Sequence, residues 1–214
     1  MLSWHVERVH GSAGDFHLRD LGDRRAATFF TSDAPTLVLG SSQRSESIDT
    51  EEAARRGIEI VRRRSGGGGV LLWPGEYVWL DLEVPADDPL WSDDVGRAMW
   101  WVGELWQAAI ASFVPATTVH RRHLQRNPWS AAVCFAGVGP GEVMLGEAKL
   151  VGISQRRTRR AARFQSMVHL VWHPDVMLAL LAPPLPTEPL TQVAICPAPA
   201  ELVGEHLLQA LARI

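Results

Sequence analysis

The sequence Arg-Arg-Arg-Ser-Gly-Gly-Gly-Gly occupies positions 62–69, so three guanidinium groups are followed directly by four glycines. Strand-like segments at 58–61 and 70–73 flank it, which predicts two strands joined by a glycine loop. Glycine adopts positive φ without a steric penalty and has no side chain, so a ligand can approach its backbone N–H groups. The stretch therefore indicates either an anion-binding cradle or a plain hairpin turn whose arginines lie in solvent.

The composition is that of an ordinary globular chain of 214 residues, with 46% hydrophobic and 21% charged residues. We expect residues 1–214 to form a single domain. A net charge of -3 argues against a nucleic-acid partner. The N-terminus has no apolar core of signal-peptide length, and no apolar run long enough to span a membrane occurs, so we expect a cytoplasmic protein without a membrane partner.

Cysteine and lysine are both rare in this chain. Cys134 and Cys196 are the only cysteines, which excludes a disulfide framework and a cysteine-rich metal site, and no motif indicates any other metal site. Lys149 is the single lysine among 21 basic residues. Because a compact ammonium does what a planar guanidinium cannot, Lys149 is a candidate functional residue, and its alternative is a chance survivor of codon bias.

Hydrophobic periodicity predicts strands in runs rather than in regular alternation with helices. Asp49 stands three residues ahead of Glu52, and Gly57 follows, which is typical of a capped helix. The pattern favours the α+β class, a mixed β-sheet with helices packed on its faces. The predicted helices cover 15–30, 49–56, 93–113 and 199–213, with a short one from 174, and the predicted strands cover 4–9, 36–40, 58–61, 70–73, 76–84, 117–120, 130–135, 141–145, 148–155 and 164–172.

Two motifs carry a family resemblance. The pattern Arg-Arg-x-Ser-Gly-Gly-Gly at 62–68 and the pattern Lys-Leu-Val-Gly-x-Ser-Gln-Arg at 149–156 resemble the signatures of the lipoate-protein ligase family, within the biotin/lipoate protein ligase and octanoyltransferase superfamily. Leu-Gly-x-x-Gln at 39–43 is similar to the family's early substrate loop, and Phe-Gln at 164–165 to a strand that returns past the acyl pocket. The resemblance implies a catalytic domain of the biotin/lipoate protein ligase fold.

The chemistry that this resemblance implies has two steps. Lipoate or octanoate reacts with ATP, accompanied by Mg²⁺, to give acyl-AMP, and a lysine of a lipoyl carrier domain then takes the acyl group. The carrier would be a 2-oxoacid dehydrogenase domain or the glycine cleavage H protein. By motif position, Lys149 would hold the carboxylate and phosphate oxygens. The implied binding residues are Gln43, Arg62, Arg63, Ser65, Gly66, Gly67, Gly68, Gly69, Gly152, Ser154 and Gln165.

The chain departs from the ligase pattern in three places, the mildest of which is Gly69, where the family usually has an alanine. Leu72 and Trp73 stand where the ligases resembling it carry a His-Asp pair, and only residues 173–214 remain for a C-terminal accessory domain. We therefore expect a catalytic domain without that accessory domain, whose task a separate accessory protein could supply. The apolar replacements and the missing domain also leave open a non-catalytic module that binds an acyl-adenylate.

Cys134 suggests a different reaction. It lies 15 residues before Lys149, in a context that resembles that of the nucleophilic cysteine of ligase-like octanoyltransferases. A thiolate beside an ammonium can accept an acyl group as a thioester, which makes ATP unnecessary. The alternative is that Cys134 is inert packing, as most free cysteines are.

An arginine cluster follows the lysine strand. The cluster forms either a solvent-exposed hairpin turn without a function or a docking surface for an acidic lipoyl carrier domain. The cluster consists of Arg156, Arg157, Arg159, Arg160 and Arg163.

Overall fold

Ten strands and five α-helices make up the fold over residues 3–214, the part of the chain that the computed structural model describes. The α+β class is confirmed, because a mixed sheet carries helices on its faces. The strands are β1 (His5–Gly11), β2 (Ala26–Ser32), β3 (Thr36–Leu39), β4 (Glu59–Arg62), β5 (Val70–Leu72), β6 (Tyr77–Pro85), β7 (Thr117–Val119), β8 (Val143–Leu145), β9 (Ala148–Arg157) and β10 (Ala161–His169). The helices are α1 (Ala13–Leu18), α2 (Thr50–Arg55), α3 (Trp100–Ile110), α4 (Pro174–Ala179) and α5 (Ala200–Leu211).

The strands form two sheets. The large sheet has the order β1-β2-β6-β10-β9-β8-β7, in which only β1 and β2 are parallel neighbours. The small sheet has the order β4-β3-β5, with β4 parallel and β5 antiparallel to β3. The glycine loop joins β4 to β5, which lie on opposite sides of β3. The plain hairpin turn is therefore wrong, because the loop crosses over the end of β3.

The loop can cross there because Gly40, which follows β3, has no side chain. A Cβ built on Gly40 would lie 1.9 Å from the carbonyl oxygen of Gly67, well inside contact distance. Gly67 itself has a φ of 100°, a conformation that side-chain-bearing residues rarely adopt. The crossing of two backbone segments therefore explains why both positions are glycine, without any role in binding a ligand.

Helices α3 and α5 cover one face of the large sheet and form the main core with it. Trp106 of α3 and Leu207 of α5 belong to the same buried cluster as Leu80 of β6 and Phe164 of β10. The indole of Trp106 donates to the hydroxyl of Ser166 at 2.8 Å, so its one polar group is satisfied inside the core. This core fixes β9 and β10, the strands that carry Lys149, Gly152, Ser154 and Gln165.

Polar and apolar residues alternate along β6, a pattern typical of a half-buried strand, but both of its faces are buried. Leu80 and Leu82 face the main core, whereas Trp79 belongs to a second cluster toward the small sheet. Asp81 is 2% exposed and accepts from the Trp79 indole at 2.6 Å. The polar positions of the pattern thus lie in a buried polar region next to the candidate site, rather than in solvent.

The helix predicted over 15–30 is wrong, because α1 ends at Leu18 and the second half of the segment is β2. Contacts from distant residues hold the intervening backbone open. The Arg163 guanidinium donates to the carbonyls of Arg19 and Asp20 at 3.0 and 2.8 Å, and Glu83 accepts from the N–H of Gly22. Pairing of β2 with both β1 and β6 then outweighs its helical periodicity.

The strand predicted over 130–135 is also wrong. The segment makes a turn and then a short 3₁₀-helix, Cys134–Ala136, and Val133 forms only an isolated bridge with Gly69. The helix predicted over 93–113 is shorter, since α3 begins at Trp100. Among the described residues, no helix is long and apolar enough to cross a membrane.

The predicted caps of α2 are confirmed. The Asp49 carboxylate accepts from the N–H of Glu52 at 2.8 Å, and Gly57 follows the helix with a φ of 64°. The cap satisfies one of the free N–H groups at the helix start, and glycine takes the left-handed conformation at low cost. The position of α2 beside β4 follows from this local sequence.

Candidate active site

Cys134 lies directly against the glycine loop. Its N–H donates to the carbonyl of Gly69 at 3.0 Å, and the Gly69 N–H donates to the carbonyl of Ala132 at 2.8 Å. A Cβ built on Gly68 would lie 2.6 to 2.7 Å from the backbone of Val133 and Cys134. Only glycine at position 68 allows this approach, so the loop is required to bring the cysteine into the site.

Arg63 lies under the same loop, with a guanidinium that is almost fully buried. It donates to the carbonyls of Val38, Gly66 and Gly68 at 3.2, 2.7 and 2.9 Å, and its Nη2 lies 3.8 Å from the sulfur of Cys134. It forms no ion pair with an aspartate or glutamate of residues 3–214. Burial lowers the pKa of Arg63, and the adjacent Cys134 opposes that shift.

The glycine loop thus presents carbonyls to Arg63, in addition to the backbone N–H groups that the sequence indicated. Within the described chain, no protein acceptor pairs with the N–H groups of Gly66, Gly67 and Gly68. A Cβ built on Gly67 would lie 3.5 Å from the Cys134 sulfur, so this glycine borders the thiol closely. The loop therefore binds the guanidinium through its oxygens and leaves donors beside the cysteine.

Lys149 is buried and ion-paired. Its ammonium lies 2.9 and 2.8 Å from the two carboxylate oxygens of Glu142 and donates to the carbonyl of Cys134 at 2.7 Å. The Glu142 carboxylate also accepts from the N–H groups of Gly139 and Ile153. Lys149 and Cys134 are therefore brought together. The ammonium is directed at the backbone of residues 130–136, which carry Cys134 and are called the cysteine turn below.

Glu142 was missed by the sequence analysis, although it lies only seven residues before Lys149. A glutamate inside a predicted strand, next to the buried Val143, is a sequence signal for a buried ion pair. Its carboxylate connects the lysine strand, the cysteine turn and the Gly139 turn. Glu142 therefore holds Lys149 in its observed orientation.

Replacing Glu142 with glutamine is expected to lower the free energy of unfolding by about 3–5 kcal/mol, because the Lys149 ammonium stays buried without its counter-charge. Urea unfolding measures this loss. Glu147→Gln, at an exposed turn two residues before Lys149, is the matched control and should change stability little. A combined Glu142→Gln and Lys149→Met variant should recover part of the loss, and equal stability of the two glutamine variants would contradict the buried pair.

A narrow pocket opens beside Cys134, and its cavity volume of about 20 Å³ is room for about one water molecule. Its apolar walls come from five segments of the chain, namely β5, β6, the turn that contains Phe135, β9 and β10, and Gly152 forms a wall without a side chain. A Cβ on Gly152 would already lie 3.1 Å from the ring of Phe135. The residues that line the pocket are Arg63, Val70, Trp79, Cys134, Phe135, Gly152, Ile153, Ser154, Gln165 and Met167.

Hydrogen bonds join the polar residues at one end of this pocket. The Ser65 hydroxyl lies 3.0 Å from that of Ser154 and donates to the amide oxygen of Gln165 at 3.0 Å. The Gln165 amide nitrogen reaches His17 at 3.2 Å and Asp81 at 3.3 Å. The glycine loop, β9 and β10 are thereby tied together around the pocket.

Several buried groups near the pocket titrate abnormally. Burial lowers the pKa of His17 to about 3, with further lowering by the Arg63 and Arg163 charges. Burial also lowers the pKa of His169 to about 3 and raises the pKa of Asp81 to about 7. Both histidines are therefore neutral near pH 7. None of the residues 3–214 form a group of three or more His, Cys, Asp or Glu side chains that could hold a metal ion.

The pKa values predict that stability falls as the pH drops from 6.5 toward about 5. In this window His17 and His169 each take up a proton on unfolding, whereas Asp81 releases one. The three groups leave a net uptake of one proton, which is worth about 1.4 kcal/mol per pH unit. His169→Phe should remove this slope in urea unfolding. The exposed control His10→Phe should keep the slope, and an unchanged slope in the His169 variant would contradict the assignment.

Of the eleven predicted binding residues, Arg63, Gly152, Ser154 and Gln165 line the pocket. Ser65 and the four glycines of the loop lie next to these residues or to Cys134, with the Gly66 carbonyl bonded to Arg63, whereas Arg62 and Gln43 lie farther out. Arg62 donates to the carbonyls of Gly40 and Gln43 at 2.8 and 2.5 Å, so it fixes the loop after β3. Gln43 accepts from the N–H of Gly40 and donates to the carbonyl of Ala132. Through these hydrogen bonds both residues hold the loop after β3 against the cysteine turn, on the side away from the pocket lining. The predicted set that the structure does bring together around the pocket is Arg63, Ser65, Gly67, Gly68, Gly69, Cys134, Gly152, Ser154 and Gln165.

The arginine cluster after Lys149 divides into two kinds of residue. Arg163 is buried and donates to the Glu83 carboxylate at 2.6 and 2.9 Å, so it belongs to the interior. Arg159 and Arg160 are exposed at the hairpin turn, and Arg157 stacks on the ring of Trp91 at 3.9 Å. The docking surface predicted from all five arginines therefore loses Arg163.

Comparison with proteins of curated function gives a relative at moderate similarity. The octanoyltransferase LipM of Moorella thermoacetica is 27% identical over 166 residues, which is 77% of this chain and 59% of the relative. The chain thus spans about three fifths of the length of that relative.

Solved structures share the fold over nearly the whole chain. A bi-partite lipoate protein ligase, studied with its E2 lipoyl domain from Thermoplasma acidophilum, has a TM-score of 0.75 at 15% identity, covering 100% of this chain and 84% of that one. A lipoate-protein ligase A bound with ATP has a TM-score of 0.73 at 17% identity, covering 97% and 83%. At these identities the likeness establishes the fold.

A family model described as the lipoyl protein ligase A/B catalytic domain matches residues 15–185. The matched range contains the glycine loop, the cysteine turn and the lysine strand. This result confirms the resemblance seen in the two sequence motifs. The similar proteins described above are named as lipoate-protein ligases and an octanoyltransferase. The chain therefore belongs to the lipoyl protein ligase A/B catalytic domain family.

Proposed function

We propose that this protein is an octanoyl or lipoyl transferase that carries the acyl group as a thioester on Cys134 and uses no ATP. The observation that carries the proposal is the buried Arg63 guanidinium, which has no carboxylate partner among residues 3–214 and lies 3.8 Å from the Cys134 sulfur. A buried cation without a counter-charge is costly. A thiolate at Cys134 supplies that counter-charge and is the nucleophilic form of cysteine.

The reaction needs no further co-reactant. The Cys134 thiolate attacks the carbonyl carbon of an octanoyl thioester, a new carbon–sulfur bond forms to Cys134, and the donor leaves as its thiolate and takes up a proton. The amine of an acceptor lysine then attacks the thioester of Cys134. An amide forms, the carbon–sulfur bond breaks, the amine releases a proton to solvent, and the Cys134 thiolate is regenerated.

The surroundings of the sulfur suit this sequence of steps. Val70, Phe135 and Met167 give the pocket the apolar walls that a saturated acyl chain requires, and in this proposal the pocket widens to admit the chain. Gly67 and Gly68 contact the segment that carries Cys134, and their N–H groups have no protein acceptor among residues 3–214. In this proposal those N–H groups stabilise the negative charge that develops on the carbonyl oxygen during attack. Lys149, through its bond to the Cys134 carbonyl, holds the cysteine turn in place.

The acceptor in this proposal is a lysine of a lipoyl carrier domain, either of a 2-oxoacid dehydrogenase or of the glycine cleavage H protein. The lipoyl domain named with the Thermoplasma ligase supports this class of partner. The name octanoyltransferase for the Moorella relative supports a transfer reaction. A transferase of this kind needs no accessory protein for adenylation, and the proposal places it in the cytoplasm as a single domain.

An ATP-dependent lipoate-protein ligase is the second candidate, favoured by the fold shared with a lipoate-protein ligase A bound with ATP. In that reaction Lys149 would hold the carboxylate and phosphate oxygens of the acyl-AMP, and Mg²⁺ would accompany the ATP. Its ammonium, however, faces the Glu142 carboxylate in a fully buried pair. Holding a phosphate there requires that pair to open, which favours the transferase.

A carrier-modification assay separates the two reactions. An unmodified lipoyl domain is incubated with the protein, either with an octanoyl thioester and no ATP, or with free octanoate, lipoate or biotin plus ATP and Mg²⁺. Mass spectrometry of the lipoyl domain should show the octanoyl group in the first arm alone. Modification confined to the arm with ATP would reject the transferase and support the ligase. Absence of modification in every arm would favour the non-catalytic binding module.

A further inference from the structure

The polar end of the pocket belongs to a chain of hydrogen bonds that has a defined direction. The Ser65 hydroxyl donates to the amide oxygen of Gln165 at 3.0 Å, which uses its single proton. The hydroxyls of Ser65 and Ser154 are also 3.0 Å apart, so Ser154 has to be the donor in that contact. Ser154 is half-buried and lines the pocket. With its proton engaged by Ser65, it meets the pocket as a hydrogen-bond acceptor.

Two residues behind the pocket set this direction by holding the amide of Gln165. The amide nitrogen reaches Nδ1 of His17 at 3.2 Å and a carboxylate oxygen of Asp81 at 3.3 Å. An ionised carboxylate only accepts hydrogen bonds, so the nitrogen has to face Asp81 and the amide oxygen has to face Ser65. None of these three side chains behind Ser65 is more than 5% exposed, so bulk water does not compete for their hydrogen bonds.

Asp81 decides the direction, whereas His17 can follow either one. His17 is neutral near pH 7, and a neutral imidazole presents one N–H and one lone pair. Its Nε2 is buried without a hydrogen-bond partner among residues 3–214, so an exchange of tautomers breaks no bond at that atom. The Asp81 carboxylate is fixed, because one oxygen accepts from the Trp79 indole at 2.6 Å and the Arg163 guanidinium lies 3.7 Å from the other.

The second step of the proposed reaction brings a hydrogen-bond donor to this place. The amine of the carrier lysine attacks the Cys134 thioester, and an acceptor for its N–H group would hold its lone pair toward the carbonyl carbon. Among the side chains that line the pocket, Arg63 and Trp79 carry only donors, and the Gln165 amide is already engaged. Ser154 is therefore the side-chain oxygen that the pocket offers to the amine.

We infer that Asp81 is a positioning residue, which fixes the amide of Gln165 and thereby makes Ser154 a hydrogen-bond acceptor for the attacking amine of the carrier lysine. This role rests on the proposed transferase function. It concerns the second half-reaction, in which the thioester on Cys134 is transferred to the amine. Formation of that thioester, the first half-reaction, does not depend on it.

Asp81→Asn should reverse the direction of the chain. The Trp79 indole only donates, so the oxygen of the new amide has to face it and the new amide nitrogen faces Gln165. The Gln165 amide then turns over, Ser65 accepts from it and donates to Ser154, and Ser154 meets the pocket as a donor. We expect transfer to a lipoyl domain to slow about tenfold, whereas formation of the thioester changes less than about twofold.

Both half-reactions are followed by intact-protein mass spectrometry in single turnovers, first with an octanoyl thioester and then with the isolated octanoyl-protein and a lipoyl domain. The reactions run at about pH 8.5, above the pKa of Asp81, which burial raises to about 7. Ser154→Ala should slow the second half-reaction similarly. Because both changes act through one hydroxyl, the double variant should be no slower than Ser154→Ala alone. Asp87→Asn, at an exposed turn, is the matched control and should change neither step.

Losses that multiply in the double variant would mean that Asp81 does not act through Ser154 and would overturn the inference. Equal slowing of both half-reactions would reveal a general effect on the fold and would overturn it as well. Where Asp81→Asn does not fold, Gln165→Met breaks the chain next to Ser65 and takes its place in the same comparison. An unchanged second half-reaction in Ser154→Ala would overturn the inference and leave the transferase standing, whereas no acylation of Cys134 in the unaltered protein would reject both.

Discussion

Replacing Cys134 with alanine is expected to lower the rate of octanoyl transfer to a lipoyl domain at least ~10³-fold. The variant has no sulfur to form the thioester, and the remaining pocket only binds the donor. The side chain is half-buried at a turn, so the loss of one sulfur should change stability little. The initial rate of carrier modification, measured without ATP, gives the ratio of the two activities.

Cys196→Ala is the matched control for this experiment. Cys196 is the only other thiol of the chain, it is fully buried in the main core, and it lies outside the pocket. Its variant should transfer octanoate at the rate of the unaltered protein at temperatures where it is folded. Equal transfer rates for the two alanine variants would reject the covalent route.

Replacing Arg63 with methionine is expected to lower both the reactivity of Cys134 and the stability of the fold. Because the guanidinium lies 3.8 Å from the sulfur, its positive charge favours the thiolate over the thiol. We therefore expect alkylation of Cys134 by iodoacetamide at neutral pH to slow at least about tenfold. The carbonyls of Val38, Gly66 and Gly68 lose their donor, which should reduce the free energy of unfolding by about 3 kcal/mol.

Alkylation is measured by the mass of the Cys134 peptide, and stability by urea unfolding. Arg63→Lys keeps the charge but not the fork of donors, so it should restore part of the alkylation rate while remaining destabilised. Arg122→Met, at an exposed loop position, controls for the loss of one positive charge and should alter neither quantity. Unchanged alkylation in a folded Arg63→Met protein would mean that the guanidinium does not stabilise the thiolate.

The sequence predicted the parts of the site more completely than their arrangement. The glycine loop, Lys149 and Cys134 were all identified from residue types and spacing, and the structure brings the three segments together. The close contact of Gly68 with the backbone of Val133 could not be predicted, because it joins segments more than 60 residues apart. Glu142 was missed although its place inside a predicted strand is a sequence signal, because its pairing with Lys149 is decided by the tertiary structure.

The errors in the fold have the same origin. Residues 19–22 were predicted to continue a helix, but they are held open by Arg163 and Glu83, which lie far along the chain. Local signals that depend on near neighbours were reliable, as the cap formed by Asp49 illustrates. Elements whose conformation is decided by distant partners, such as β2 and the cysteine turn, need the tertiary structure.

The most direct test of the account is peptide mapping of the protein after brief incubation with an octanoyl thioester in the absence of ATP. We predict an octanoyl group on the peptide that contains Cys134, none on the peptide that contains Cys196, and transfer of that group to a lipoyl domain added afterwards. A lipoyl domain that gains octanoate while Cys134 remains unmodified at every time point would contradict the thioester intermediate.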